Sequence, residues 1–145
     1  MKFDRNEAVT GADLTSGAVM ITVPRSRMTE VLQRLEKEDL QLDAFVIDRQ
    51  RVTAAVFPAD EESLRRALLP LGAVTEGGYF RLLLRGHRLT DGRGLAGLWE
   101  SVLSHHEIPL RLSCSDGSGI TQYLPLTSRP AVLALLEQTF RIRVV

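Results

Sequence analysis

The stretch Gly86-His87-Arg88-Leu89-Thr90-Asp91-Gly92-Arg93-Gly94 carries the groups best suited to hold a small anion. Leu95, Leu98, Trp99, Val102 and Leu103 follow it at helical spacing, so the loop opens a helix. The amides of Gly92, Arg93, Gly94 and Leu95 would then lie at a helix N-terminus, where free N–H groups and the positive end of the helix dipole favour a carboxylate or phosphate. Arg88 or Arg93 would add charge-assisted hydrogen bonds, and Asp91 would receive an α-amino group. Thr90 stands inside the same loop. The glycines serve equally well to make a tight strand-to-helix connection with solvated charges, and that alternative stays open. A phosphate-binding loop of the Walker type is not indicated, because its Lys-Ser/Thr ending is absent. Arg25, Ser26 and Arg27, with Asp43, form the equivalent set earlier in the chain. Solvated charges near a helix start are the competing explanation there.

No other constellation points to chemistry. His105 and His106 are adjacent on a helix and point about 100° apart, which suits capping of the helix C-terminus rather than chelation. Cys114 alternates with Leu110 and Leu112 and reads as a core residue. Trp99 lies on the apolar stripe of its helix and reads as core packing. With no Ser-His-Asp order, paired carboxylates or metal-ligand spacing, we expect no catalysis, no metal and no cofactor.

The chain has 145 residues, 44% of them hydrophobic, and 18 basic side chains balance 18 acidic ones. A net charge of zero gives no overall basic field for nucleic acid or an anionic membrane. No apolar run approaches the roughly 20 residues that span a bilayer. The charged start, Met1-Lys2-Phe3-Asp4-Arg5-Asn6-Glu7, lacks a signal-peptide core, and one cysteine allows no internal disulfide. A cytoplasmic protein is expected.

The positioning elements can be read in order. Val9-Thr10-Gly11-Ala12 is a short strand, residues 13–17 are turn-like, and residues 18–23 make a central strand ended by Pro24. Ser26 is the expected N-cap of a helix whose stripe is Met28, Val31, Leu32 and Leu35. Residues 42–47 form a strand, Asp48-Arg49-Gln50 turns, and Val52, Ala54 and Val56 alternate in the returning strand. Asp60 caps a helix with Leu64, Ala67, Leu68 and Leu71 inward, ended by Pro70 and Gly72. Residues 73–76 are a connector or short strand, and Gly77-Gly78 leads into the strand 79–85. After the helix from about 94 to 105, Asp116-Gly117-Ser118-Gly119 joins two strands as a hairpin. Ser128 caps a last helix with Pro130 in its first turn, and residues 141–145 are expected to be a final strand.

Strand, helix, strand, strand, helix thus occurs twice. This is the ferredoxin-like order, an α+β fold with helices on one face of an antiparallel sheet. The expected division is a lead-in at 1–17 pairing with the second unit, a first unit at 18–76 and a second at 77–145.

The motifs resemble the tandem ACT domains of aspartokinases over nearly the whole chain from Val9. Val9-Thr10-Gly11 is similar to the family's V-T-G strand, and Val19 to Pro24 to its V-T-L-V-G-V-P strand. Residues 86–96 resemble the loop G-x-G-M-R-S-x-P-G-V-A without a gap, with Gly86, Asp91, Gly94, Leu95 and Ala96 in register. Residues 108–116 resemble I-N-I-E-M-I-S-T-S-E, and 131–140 resemble A-V-R-A-L-H-E-A-F. Departures are local: the first loop, Pro24-Arg25-Ser26-Arg27-Met28, has no glycine. Its following strand keeps Asp43 but loses the family's Gln-Asn pair. In the second loop Arg88, Thr90 and Arg93 replace a glycine, an arginine and a proline.

The resemblance implies two βαββαβ units, the first inserted in the second, that bind a free amino acid and regulate an enzyme. It implies a non-enzymatic regulatory protein binding a small amino acid or related carboxylate, with a possible partner enzyme; a homodimer is expected because exposed sheet edges and interfacial loops invite a self-complementary contact. The alternative is an assembly module whose ligand site has degenerated.

Overall fold

In the computed structural model, residues 9–86, 95–116 and 119–144 are described. Strands β1 (Val9–Pro24), β2 (Ala44–Ile47), β3 (Arg51–Val56), β4 (Val74–Gly86), β5 (Leu112–Asp116) and β6 (Gly119–Pro125) alternate with four helices. These are α1 (Met28–Lys37), α2 (Glu61–Leu68), α3 (Leu95–His105) and α4 (Arg129–Phe140). The strands form an antiparallel sheet in the order β2-β3-β1-β4-β6-β5. The chain divides into two compact units, one of residues 17–79 and one of residues 1–16 with 80–145.

In the unit 17–79, β1 pairs with β3 from Val19↔Val56 to Pro24↔Arg51, and β2 pairs with β3 from Ala44↔Ala55 to Ile47↔Val52. Val19, Ile21 and Val23 of β1 and Val52 and Val56 of β3 pack with Val31 and Leu35 of α1 and Leu64 and Leu68 of α2. The period of two on the strands meets the 3.6-residue stripe of the helices, as burial on one sheet face requires. Leu32, expected in that stripe, is instead 44% exposed. Asp60 is the N-cap of α2, and its side chain accepts from Glu62 N and Ser63 N at 3.1 and 3.2 Å. The Ser63 and Glu62 donors hold the Asp60 carboxyl below its usual range. A depressed folded pKa adds stability above the unfolded value, and that stability is lost as pH falls through and below about 3.9. Asp60→Ala is therefore expected to lower Tm at pH 7 and to flatten the acid limb of a Tm-against-pH curve.

In the other unit, Phe80, Leu82 and Leu84 of β4 and Ile120 and Leu124 of β6 pack with Trp99 and Leu103 of α3 and Val132, Leu135, Leu136 and Phe140 of α4. Trp99 is fully buried, lies 5.5 Å from the Phe140 ring and donates its indole N–H to Gln122 Oε1 at 2.9 Å. Cys114, expected in the core, is half-buried on β5, where burial pushes its thiol pKa up.

Several boundaries differ from the sequence reading. Residues 13–17 are not a turn: β1 runs through them, with Gly17 at φ 94°. Nor does Gly77-Gly78 interrupt β4, which passes through Gly78 at φ 83°. In both cases glycine takes a left-handed φ that other residues resist while the strand continues. Ser128 stands at the N-cap of α4, yet its hydroxyl donates back to Pro125 O at 2.7 Å rather than capping. Residues 141–144 form no strand, because Arg141 turns left-handed at φ 56° and Ile142 N returns to Leu136 O. Residues 117 and 118, the centre of the expected hairpin turn, lie outside the described residues; Asp116 and Gly119 are paired across it.

Two helices end alike. Asp39 (φ 55°) and Glu107 (φ 56°) follow α1 and α3 in the left-handed region, and Leu40 N and Ile108 N reach back to Leu35 O and Leu103 O at 2.9 Å. An L-residue there costs about 1 kcal/mol, and a carboxylate meets the negative end of the dipole. Asp39→Gly and Glu107→Gly are each expected to raise stability by about 0.5–1 kcal/mol in urea titrations.

Candidate functional site

Of the two candidate sets, the later one falls where no geometry is given. β4 ends at Gly86 and α3 begins at Leu95. Arg88, Thr90, Asp91, Gly92, Arg93 and Gly94 lie outside the described residues, and Leu95 is the first residue of α3.

The earlier set begins where Pro24 ends β1. Its fixed φ of −57° turns the chain into a short 3₁₀ segment, Arg25–Arg27, that runs into α1. Ser26 does not cap the helix. The N-cap position belongs to Arg27, and no side chain bonds the first amides. The extra 3₁₀ turn after Pro24 moves the helix start beyond Ser26. Arg27 is instead occupied by Glu30, with Nε to Oε1 at 2.8 Å and Nη2 to Oε2 at 3.0 Å. That fork raises the Arg27 pKa and lowers that of Glu30. It leaves Arg27 little capacity for a ligand.

The backbone of Asp43 lies at the other end of the β2–β3 hairpin from that of Arg25. Asp43 N donates to Ala55 O at 2.8 Å, whereas Arg25 N donates to Gln50 O at 2.8 Å. Ala55 and Arg51 are four residues apart on β3, so the two ends of the hairpin are separated by about 13 Å at 3.3 Å per residue.

What does meet Arg25 is the β2–β3 turn. Asp48 Oδ1 accepts from Gln50 N at 2.8 Å and Arg51 N at 2.7 Å, and Asp48 N donates to Arg51 O at 2.9 Å. Those two backbone donors, with smaller contributions from the Arg51 and Arg25 charges, hold the Asp48 carboxyl below its usual range. The Asp48 carboxylate is thus committed to the turn. Beside it lies a cleft of about 270 Å³ lined by Thr22, Pro24, Gln50, Arg51, Gly72 and Val74, among others. Gly72 forms one rim at φ 75°, a conformation that favours glycine. Asp48, Arg49, Gln50 and Arg51 were legible in the sequence as a turn only. The signal for more was the spacing of arginines around a turn-forming aspartate, facing Arg25 across a strand pair. Among the described residues no group of three or more His, Cys, Asp or Glu side chains could hold a metal.

No family model matches the chain, and no curated protein matches it. Solved structures do. The ligand-free regulatory subunit of aspartate kinase from Thermus thermophilus superposes with a TM-score of 0.77 at 17% identity, over 92% of this chain and 99% of that one. The chain has the fold of an aspartate kinase regulatory subunit. A structure of aspartokinase alpha and beta subunits gives a TM-score of 0.80 at 13% identity over 92% of this chain and 99% of that one. Escherichia coli aspartokinase III in complex with lysine and aspartate gives 0.73 at 16% identity, over 96% of this chain but 34% of that one. At these identities the aspartate kinase likeness is one of fold, of the ACT-like ferredoxin kind. No helix among the described residues is long and apolar enough to cross a membrane.

Proposed function

We propose that this chain is a non-enzymatic regulatory protein of two βαββαβ ACT-type units that binds a free amino acid or related carboxylate and relays that binding to a partner enzyme. The observation that carries the reading is the end-to-end fold likeness to a regulatory subunit, which covers 99% of that protein. The strand neighbours support the two-unit description. Within residues 17–79 the order is β2-β3-β1-β4, and in the other unit β5-β6-β4-β1, each a ferredoxin-like arrangement. We take residues 18–76 and 77–145 as the two units, with 1–17 supplying the last strand of the second. A ligand acts by linkage, favouring the arrangement that binds it better.

The protein acts as a homodimer in this reading. β2 is an edge strand, and its Phe45, Val46 and Ile47 are 51%, 44% and 49% exposed. Such an apolar edge invites pairing with a second copy. The same edge supports the alternative of an assembly module without a ligand. A cytoplasmic setting suits its single unpaired cysteine.

A thermal-shift screen of the free amino acids tests the regulatory reading, because a ligand of the folded state raises Tm by mass action. A concentration-dependent rise with at least one amino acid is expected. No rise with any of them, while light scattering still shows a dimer, would favour the assembly module.

A further inference from the structure

We infer that the turn joining β2 to β3 and the cleft beside it form a site for a small dicarboxylate, gripped by Arg51 with Arg49 and Arg25. This inference rests on the regulatory reading and assigns it a location and a ligand charge. The Arg25 amide bonded to Gln50 O and the register Pro24↔Arg51 hold the end of β1 against the turn. Arg51 lines the cleft, the charges of Arg51 and Arg25 both reach Asp48 in the turn, and Arg49 stands in the turn itself between Asp48 and Gln50. Glu30 is engaged by Arg27 in a two-bond fork, and Asp48 by two backbone amides. Among the described residues, the guanidinium groups of Arg25, Arg49 and Arg51 make no hydrogen bond and no ion pair.

Folding does not need those three charges at this place. The turn is closed by the Asp48 carboxylate and backbone groups, and the core of this unit lies under Val52 and Val56. Like charges brought together repel, and an anion bridging them relieves that repulsion. Guanidinium groups match carboxylates in a planar two-bond geometry, which is why arginine rather than lysine suits this task. The cleft supplies what a bare charge cluster lacks. At about 270 Å³, with Pro24 and Val74 as apolar walls and Gln50 as an amide, it exceeds the size of a phosphate ion and accommodates a short carbon chain.

The test is calorimetric titration of the whole chain with succinate, L-aspartate, L-glutamate, inorganic phosphate and L-lysine at low ionic strength. Succinate or an acidic amino acid is expected to bind, and raising salt from about 20 to 200 mM should weaken it, as screening requires. Arg51→Gln and the pair Arg49→Gln with Arg51→Gln are expected to weaken binding at least tenfold, while Arg34→Gln on α1 leaves it unchanged. Circular dichroism of each variant shows that it folds. Binding of lysine without any response to the dicarboxylates would overturn this inference and leave the regulatory reading standing. Response to phosphate alone would overturn the dicarboxylate assignment, and dicarboxylate binding untouched by Arg51→Gln would overturn the location. Silence from every titrant would overturn this inference, and would remove the regulatory reading as well if no free amino acid raises Tm in the thermal-shift screen.

Discussion

Trp99→Ala is expected to cost about 3–5 kcal/mol, the usual range for emptying an aromatic site in a packed core. The indole is fully buried, so its neighbours Phe140, Leu136 and Val132 would line the resulting hole. The loss has a second component. Gln122 is itself fully buried and its Oε1 accepts the indole N–H, while its Nε2 has no hydrogen-bond partner among the described residues. Removing the indole leaves a buried amide with nothing to bond, which costs about 1–3 kcal/mol where no water replaces the donor. A cycle separates the two components. Trp99→Phe keeps most of the ring and deletes the donor, and Gln122→Leu deletes the acceptor with little change of volume. Each single change should destabilise, whereas the double variant should recover at least 1 kcal/mol relative to their sum, since the two act as one pair. Urea titrations followed by circular dichroism measure this. Trp99 is the only tryptophan, so fluorescence of the wild type reports on its own unit alone. Additive effects within about 0.3 kcal/mol would show that the buried bond contributes nothing of its own.

The pattern around Trp99 was readable because it is local and periodic. A stripe at helical spacing has to face a core, and Leu103 and Trp99 do. Asp60 before Glu61-Glu62 was equally legible, since an N-cap is satisfied within three residues. What could not be read depends on neighbours distant in sequence. Gly17 and Gly77-Gly78 look like breaks, and only the adjacent strands of a sheet decide that β1 and β4 continue through them. Arg141 to Val144 carry strand-like residues, but the left-handed turn at Arg141 ends the helix without offering a ladder. The same limit governs the site. Arg25 and Arg27 were found as a helix opening, yet the placing of the Arg25 backbone beside the β2–β3 turn, and of Asp43 at the hairpin's other end, follows from register, which no spacing along the chain encodes. The loop at 88–94 was the most conspicuous candidate by composition, because glycines and charges ahead of a helical stripe can be read from the chain alone.

Gly119→Ala is expected to destabilise strongly, by about 1–3 kcal/mol or more, and for a reason that glycine statistics do not convey. The residue begins β6 and pairs with Asp116 on β5. A methyl group added there would overlap the Leu84 carbonyl oxygen on β4 and stand 3.3 Å from its carbonyl carbon and 3.5 Å from Arg85 Cα. All three are backbone atoms, so no rotamer change makes room. The strands must move apart, and that lengthens ladder hydrogen bonds while loosening Leu84 and Ile120 in the core below. Gly77→Ala supplies the contrast. Its added methyl group would overlap the Glu61 carboxylate, the far end of an exposed and flexible side chain. Glu61 can swing into water, so Gly77→Ala should lie within about 0.5 kcal/mol of the wild type. Urea midpoints of the two variants, measured side by side, decide the point. Equal and small effects would mean that β6 yields to β4 at little cost. A large loss at Gly119 alone would identify close backbone approach as what holds the start of β6 at Leu84, two residues before β4 ends at Gly86.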